Sequence, residues 1–275
     1  MGAIGRVHHL DCCTMCPVLA SGDGQHLVAH VLAIETERSG IVLVDTGIGI
    51  QARRDLDAWL GKPFVAVVRP DRDPRRSARS QLTELGLDPD DVRHILVTHL
   101  DLDHAGALAD FPQAKVHVHL EELAAATTPT WRERSRYRSI QWAHGPRWCT
   151  YQRTGEPWFG FDAVHALDGL PEEILAIPLP GHTRGHTAIA VEGPQGWLLH
   201  AGDAYFQART VHAGVAGGSG LIDRFEQMVA IDRKKVAANH GRLAQLAAEH
   251  GDEVAVFSAH DAGELERLQA RAAAG

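Results

Sequence analysis

The chain has 275 residues, a formal net charge of −8 and 44% hydrophobic residues. These values fit a soluble globular enzyme and weigh against a polyanionic partner such as nucleic acid. No apolar run reaches the roughly 18 residues a membrane-spanning helix needs. The stretch up to His9 lacks the apolar core of a signal peptide, so a cytoplasmic protein without a membrane partner is expected.

Cys12, Cys13 and Cys16 cluster near His8 and His9, and Cys149 stands apart. The two-residue gap between Cys13 and Cys16 is that of a zinc or redox pair. A second ligand pair would need His8 and His9 to fold back tightly, and a reducing cytosol disfavours a disulfide. A first strand of small residues near a pocket rim is the favoured expectation. Residues 26–35 and 41–45 predict a hairpin of buried strands, and residues 61–76, rich in proline and charge, predict a surface loop. Residues 76–85 have helical spacing and stop at Gly86, a C-cap.

The apolar run Ile95-Leu96-Val97 then enters His99-Leu100-Asp101-Leu102-Asp103-His104. In an extended segment His99, Asp101 and Asp103 project from one side. Asp103 and His104 are adjacent and must diverge, which suits two ions better than one. Imidazole with carboxylate is a ligand set for zinc, iron or manganese. An isolated Asp-His pair would instead be a helix cap, but further ligands follow. His182 comes after Ile174-Leu175-Ala176-Ile177-Pro178, Asp203 after Trp197-Leu198-Leu199-His200, and His260 after Val254-Ala255-Val256-Phe257. Each lies just past a short apolar segment, where α/β scaffolds build sites.

Between these motifs, His117 and His119 alternate in Lys115-Val116-His117-Val118-His119 and are expected on the polar face of a strand. A helix begins over 121–127. Residues 128–161 concentrate aromatic side chains with Arg132, Arg134, Arg136, Arg138, Arg147 and Arg153. Two expectations compete there. One is a lid whose aromatic groups line an apolar pocket while an arginine meets a carboxylate or carbonyl; the other is a packed helix pair or a homodimer contact that never touches substrate. Residues 221–249 predict a helix broken around Gly241, and 261–273 a closing amphipathic helix.

This ordered series resembles the metallo-β-lactamase superfamily from about His26 onward. Its His-x-His-x-Asp-His motif recurs here with Asp101 in place of the second His, followed by the Gly-His, lone Asp and late His, and the early Asp45-Thr46-Gly47 follows an apolar strand as in the family. The resemblance implies an α/β fold, a four-layer αββα sandwich. It implies one such domain over residues 1–275, with 128–161 as an insertion and the metal site at one edge between the sheets. Carried over by position, His99, Asp101 and His182 hold one ion, Asp103, His104 and His260 hold the other, and Asp203 bridges them. The implied cofactors are two divalent ions, zinc first, with iron or manganese as alternatives. Asp45 and His186 are expected in support, Asp45 orienting a ligand such as His104.

Asp101 stands where the family has its second His. The extra carboxylate should make the ions poorer Lewis acids and raises the standing of iron or manganese; the flavodiiron branch is similar in having Glu there. The layout resembles the N-acyl-homoserine lactonase branch most. That implies hydrolysis of a small-molecule lactone, carboxylic ester or thioester through a metal-bridging hydroxide. Asp103 and Tyr205 are the catalytic candidates, Tyr205 as a donor to the oxyanion, although that branch has its Tyr three positions past the bridging Asp rather than two. The alternatives are an iron-dependent redox enzyme of the same fold and a non-catalytic metal-binding module.

Overall fold

The computed structural model describes residues 3–18, 26–152, 155, 157–164 and 167–274. Strands β1 (Ile4–Met15), β2 (Leu27–Thr36), β3 (Ile41–Val44), β4 (Val92–Leu96), β5 (Lys115–His119) and β6 (Arg147–Tyr151) form one sheet in that order. The first three are antiparallel, and β3 to β6 run parallel. After a small hairpin, β7 (Pro157–Trp158) and β8 (Phe161–Asp162), comes a second sheet. It contains β9 (Ile174–Pro178), β10 (Thr187–Gly193), β11 (Gly196–His200) and β12 (Val254–Phe257), in the order β12-β11-β10-β9.

Strand alternation sorts the apolar residues into layers. Leu32, Ile34, Val42 and Val44 of the first sheet meet Ile174, Ala176, Ile189 and Val191 of the second in one shared cluster. Their neighbours Val31, Ala33, Ile41 and Leu43 face outward to helices that include α1 (Ile50–Arg54), α2 (Leu56–Leu60), α3 (Lys62–Val68), α4 (Ala78–Glu84) and α5 (Leu120–Thr127). On the far side Leu175, Ile177, Ala188 and Ala190 pack with α7 (Arg233–Glu249), which follows α6 (Gly220–Val229); α8 (Ala262–Ala274) closes against β1. This is the expected αββα sandwich. It also explains the unbroken Ile-Val-Leu-Val of β3: a strand covered on both faces has no polar side. No helix among the described residues is long and apolar enough to cross a membrane.

Several local expectations change. Residues 61–76 hold the helix α3, started by Pro63 in its first turn, rather than a loop alone. The break near Gly241 does not occur, for α7 runs straight through it. The interruption falls just before Arg233, where the Asp232 carboxylate accepts from Lys234 and Lys235 N–H and starts a new helix. His117 is buried, its Nε2 2.9 Å from His94 Nδ1, so it is not on a solvated face. The aromatic groups of 128–161 mostly serve the cores: Tyr137, Trp142 and Trp148 join the first-sheet cluster, Trp158 and Phe161 the second. Arg153 lies outside the described residues.

Candidate metal centre

Every expected ligand sits just beyond a strand end on one edge of the sandwich. Asp45 follows β3, His99 to His104 follow β4, His182 follows β9, Asp203 follows β11 and His260 follows β12. The backbone is forced into shape to deliver them. Asp45 has φ 59°, a left-handed conformation costly for a residue with a Cβ. Its carboxylate stabilises that turn by accepting Thr98 N–H at 2.7 Å and the Thr98 hydroxyl at 2.8 Å. Gly202, at φ 54°, has no room for a side chain, because a Cβ would lie 2.7 Å from His186 Nε2.

The ligand atoms converge in two groups. His99, Asp101, His182 and Asp203 form one, and Asp103, His104 and His260 the other, with the atoms of each group within 4.8 Å of one another. Asp203 lies between them, its Oδ1 3.1 Å from both His104 Nε2 and His260 Nε2 and its Oδ2 3.3 Å from His182 Nε2. His99 Nε2, His104 Nε2, Asp203 Oδ1 and Asp101 Oδ1 are buried with no hydrogen-bond partner. Buried polar atoms are rarely left so, and a set of inward-pointing imidazole nitrogens and carboxylate oxygens fits a cation of the zinc type.

Other contacts hold the rings in place. His104 Nδ1 is 2.8 Å from Asp45 Oδ2, the orienting contact expected of Asp45. His260 Nδ1 donates to the Val28 carbonyl at 2.8 Å, which leaves Nε2 facing Asp203. His186 supports from behind, accepting Asp203 N–H on Nε2 and donating from Nδ1 to the Leu179 carbonyl. Burial alone would raise the Asp203 carboxyl, but His260 and His104 outweigh it and hold it well below the usual range. His182 is pushed down to about 4, by burial first and then by Arg136.

Two residues of this neighbourhood were not legible as functional in the sequence. Glu122, on α5, is fully buried and accepts from Leu100 N–H, the Thr183 and Tyr137 hydroxyls and Gly185 N–H. It thereby ties the two motif loops together. Arg136 sits directly on the centre, its Nη1 2.5 Å from Asp101 Oδ2 and 2.9 Å from His182 Nε2. The arginine expected to meet a substrate carboxylate instead meets one of the protein's own. Arg136 is one of six arginines in 128–161, and nothing in the spacing singles it out.

Tyr205 requires a correction. It is fully buried, its hydroxyl donates to Glu264 Oε1 at 2.9 Å, and it is absent from the wall of the cavity over the ligands. Two residues past Asp203, rather than three, the chain directs the side chain into the core of the second sheet. That cavity, of about 440 Å³, opens on Asp101, Asp103, His182, Asp203 and His260. Its apolar wall comes from Met15, Phe64, Val68, Phe206, Phe225 and Met228; the 128–161 segment contributes Arg132, Ser135 and Arg136, and no aromatic ring. Among the described residues no cysteine belongs to either ligand group: Cys12 and Cys13 are buried in β1, while His8 pairs with Glu35 and His9 with His30.

A sandwich of this order with ligands at these strand ends defines a class. Residues 26–240 match the metallo-beta-lactamase superfamily model, and the chain belongs to that family. A probable metallo-hydrolase of Mycobacterium tuberculosis is 40% identical over 261 residues, spanning 93% of this chain and 80% of the relative. An N-acyl homoserine lactonase of Rhizobium radiobacter is 31% identical over 160 residues, 58% of each chain. Among solved structures, an N-acyl homoserine lactone hydrolase with its product N-hexanoyl-L-homoserine at the catalytic metal centre superposes with a TM-score of 0.71. It shares 19% identity and covers 97% of both chains.

Proposed function

We propose that the protein is a metal-dependent hydrolase of a small lactone, carboxylic ester or thioester that carries an apolar chain. The observation that carries this reading is the cavity, apolar along one wall and opening at its floor onto the imidazole and carboxylate cluster. An enzyme reading is favoured over a passive metal module because such a shape places a substrate's polar centre at the ligands. It also agrees with the names of the relatives.

Asp103, His104, His260 and Asp203 are the residues we propose to hold zinc. When bound there, zinc supplies Lewis acidity and lowers the pKa of a water molecule. The chain's own residues do the rest. Asp45 keeps the His104 ring turned so that Nε2 faces inward. Asp103, at the cavity floor, is a carboxylate within reach of both substrate and cluster, able to hold a proton as the leaving oxygen departs. The apolar wall fixes the chain of the substrate and keeps bulk water from its carbonyl. The iron-redox alternative rested on Asp101 as a hard oxygen ligand, and Asp101 Oδ2 is engaged by Arg136. Cytoplasmic location and a homodimer are further proposals, checked by cell fractionation and by sedimentation.

The test is hydrolysis of a matched series (γ-lactones, phenyl esters and thioesters, each with short and long acyl chains) by the zinc-loaded protein. Turnover of at least one class, rising with chain length and lost on zinc removal, is expected. No turnover of any class by fully loaded protein would reject the reading.

A further inference from the structure

Asp101 is the one ligand position where this chain departs from the family motif, and its partner in space is Arg136. Nη1 of Arg136 is 2.5 Å from Asp101 Oδ2 and 2.9 Å from His182 Nε2, while Nη2 donates to the Val229 carbonyl. The arginine side chain is only 9% exposed. A guanidinium has donors and no acceptor. His182 Nε2 also lies 3.1 Å from Asp101 Oδ2; with Nη1 donating to both atoms, Nε2 takes the acceptor role, and the lone pair facing Nη1 is the one a metal would use. The two hydrogens of Nη1 suffice for His182 and Asp101 together.

That leaves the first group with His99 Nε2, Asp101 Oδ1 and the shared Asp203 as its free donors, one short of the four ligands of a closed zinc site. An ion bound to His182 Nε2 at about 2.0–2.1 Å would have to displace Nη1 from that atom, and one on Asp101 Oδ2 from that oxygen as well. Charge points the same way. One divalent ion together with the guanidinium balances the carboxylates of Asp101, Asp103 and Asp203. A second ion beside the guanidinium would leave one positive charge uncompensated among these groups even with a bridging hydroxide, in a buried space, which is costly.

We infer that the centre holds one ion tightly, at Asp103, His104, His260 and Asp203, and that the Arg136 guanidinium, anchored by Asp101, stands where the second ion of the family would be. The substitution of Asp for His at 101 and the arginine at 136 are then one device: the carboxylate exists to hold the cation. For its functional meaning the inference rests on the proposed hydrolase activity, but the number of ions bound does not depend on that activity.

The experiment counts metal. Wild-type protein stripped with chelator is titrated with zinc in a calorimeter, elemental analysis gives the equivalents retained after desalting, and the procedure is repeated for Arg136→Met and for the double variant Asp101→His, Arg136→Met. One retained equivalent is expected in the wild type and two in the double variant. The second wild-type equivalent should bind about a hundredfold or more weaker, the scale of breaking a buried ion pair. Manganese loading provides a second readout: an isolated-ion paramagnetic spectrum in the wild type and a coupled pair in the double variant. Two retained equivalents in the wild type overturn the inference, and that measurement needs no variant to fold. A folded double variant that still retains only one equivalent also overturns it. Hydrolysis with two ions would sink this inference and leave the proposed function standing; one ion without hydrolysis would do the reverse.

Discussion

At the scale of single residues, position in the chain and direction in space separate cleanly. Tyr205 is two residues from Asp203, yet its hydroxyl is committed to Glu264 on α8. Tyr205→Phe should therefore leave kcat within about twofold and cost about 1 kcal/mol of stability, the usual net worth of a hydrogen bond, seen as a melting point a few degrees lower. A tenfold fall in kcat with unchanged stability would return Tyr205 to the chemistry. The candidate ligands themselves were legible because each follows an apolar segment and carries a donor type with few other uses in such a place. Arg136 was not, because its pairing with Asp101 spans 35 positions and arises in an irregular stretch with no period to follow. Glu122 was hidden for another reason: on a helix, a carboxylate reads as a solvated face until its burial is known.

At the scale of elements, the cavity wall depends on short helices. The strands were readable from apolar runs and their alternation, whereas α3 was obscured by the proline and charges around it. Yet Pro63 begins that helix and Phe64, Val67 and Val68 face the cavity. Val67 on α3 and Met228 on α6 are both partly solvent-exposed at its rim, at 40% and 58%. Val67→Asp and Met228→Asp should each raise KM about tenfold for long-chain substrates, since a buried methylene contributes about 0.8 kcal/mol. Short-chain KM should stay within twofold; equal losses for both chain lengths would show that the wall does not hold the chain. Between the sheets, β1, β2 and β11 bring His9, His30 and His200 together around Phe257. His9 is pushed from 6.5 down to about 4, by burial first and then by His200, His8 and Arg271. Folded protein thus binds fewer protons than unfolded protein between those values. The stabilisation is full above pH 6.5 and drains as pH falls toward 4, by up to roughly 3 kcal/mol for this residue. Urea midpoints measured across that window should fall steeply in the wild type and more gently in His9→Gln. Parallel slopes would place the acid sensitivity elsewhere.

For the whole molecule, the candidate ligands straddle the seam between the two sheets. His99 to His104 belong to the first sheet, and His182, Asp203 and His260 to the second. Backbone bonds already cross there: Thr187 N–H to the Thr98 carbonyl at 2.9 Å and His30 N–H to the Ala259 carbonyl at 2.9 Å. An ion held by donors from both sheets binds the folded chain far better than the unfolded one. Zinc at about a thousand times its Kd should add about 4 kcal/mol to stability, and chelation should lower the melting temperature by several degrees. A melting temperature indifferent to zinc would mean that the donors are not assembled by the fold as described.

The thiols of β1 offer an unplanned tool. Burial raises Cys12 and Cys13 well above the ordinary thiol range, so these two resist alkylation at neutral pH. Cys16 is exposed, and it adjoins Met15, part of the cavity wall. A maleimide dye added in slight excess should attach there first, one residue along the chain from the cavity wall, with no engineered cysteine. Its emission would then report occupancy by candidate ligands that are bound but never turned over, so the protein can be asked what it recognises before anyone knows what it cleaves.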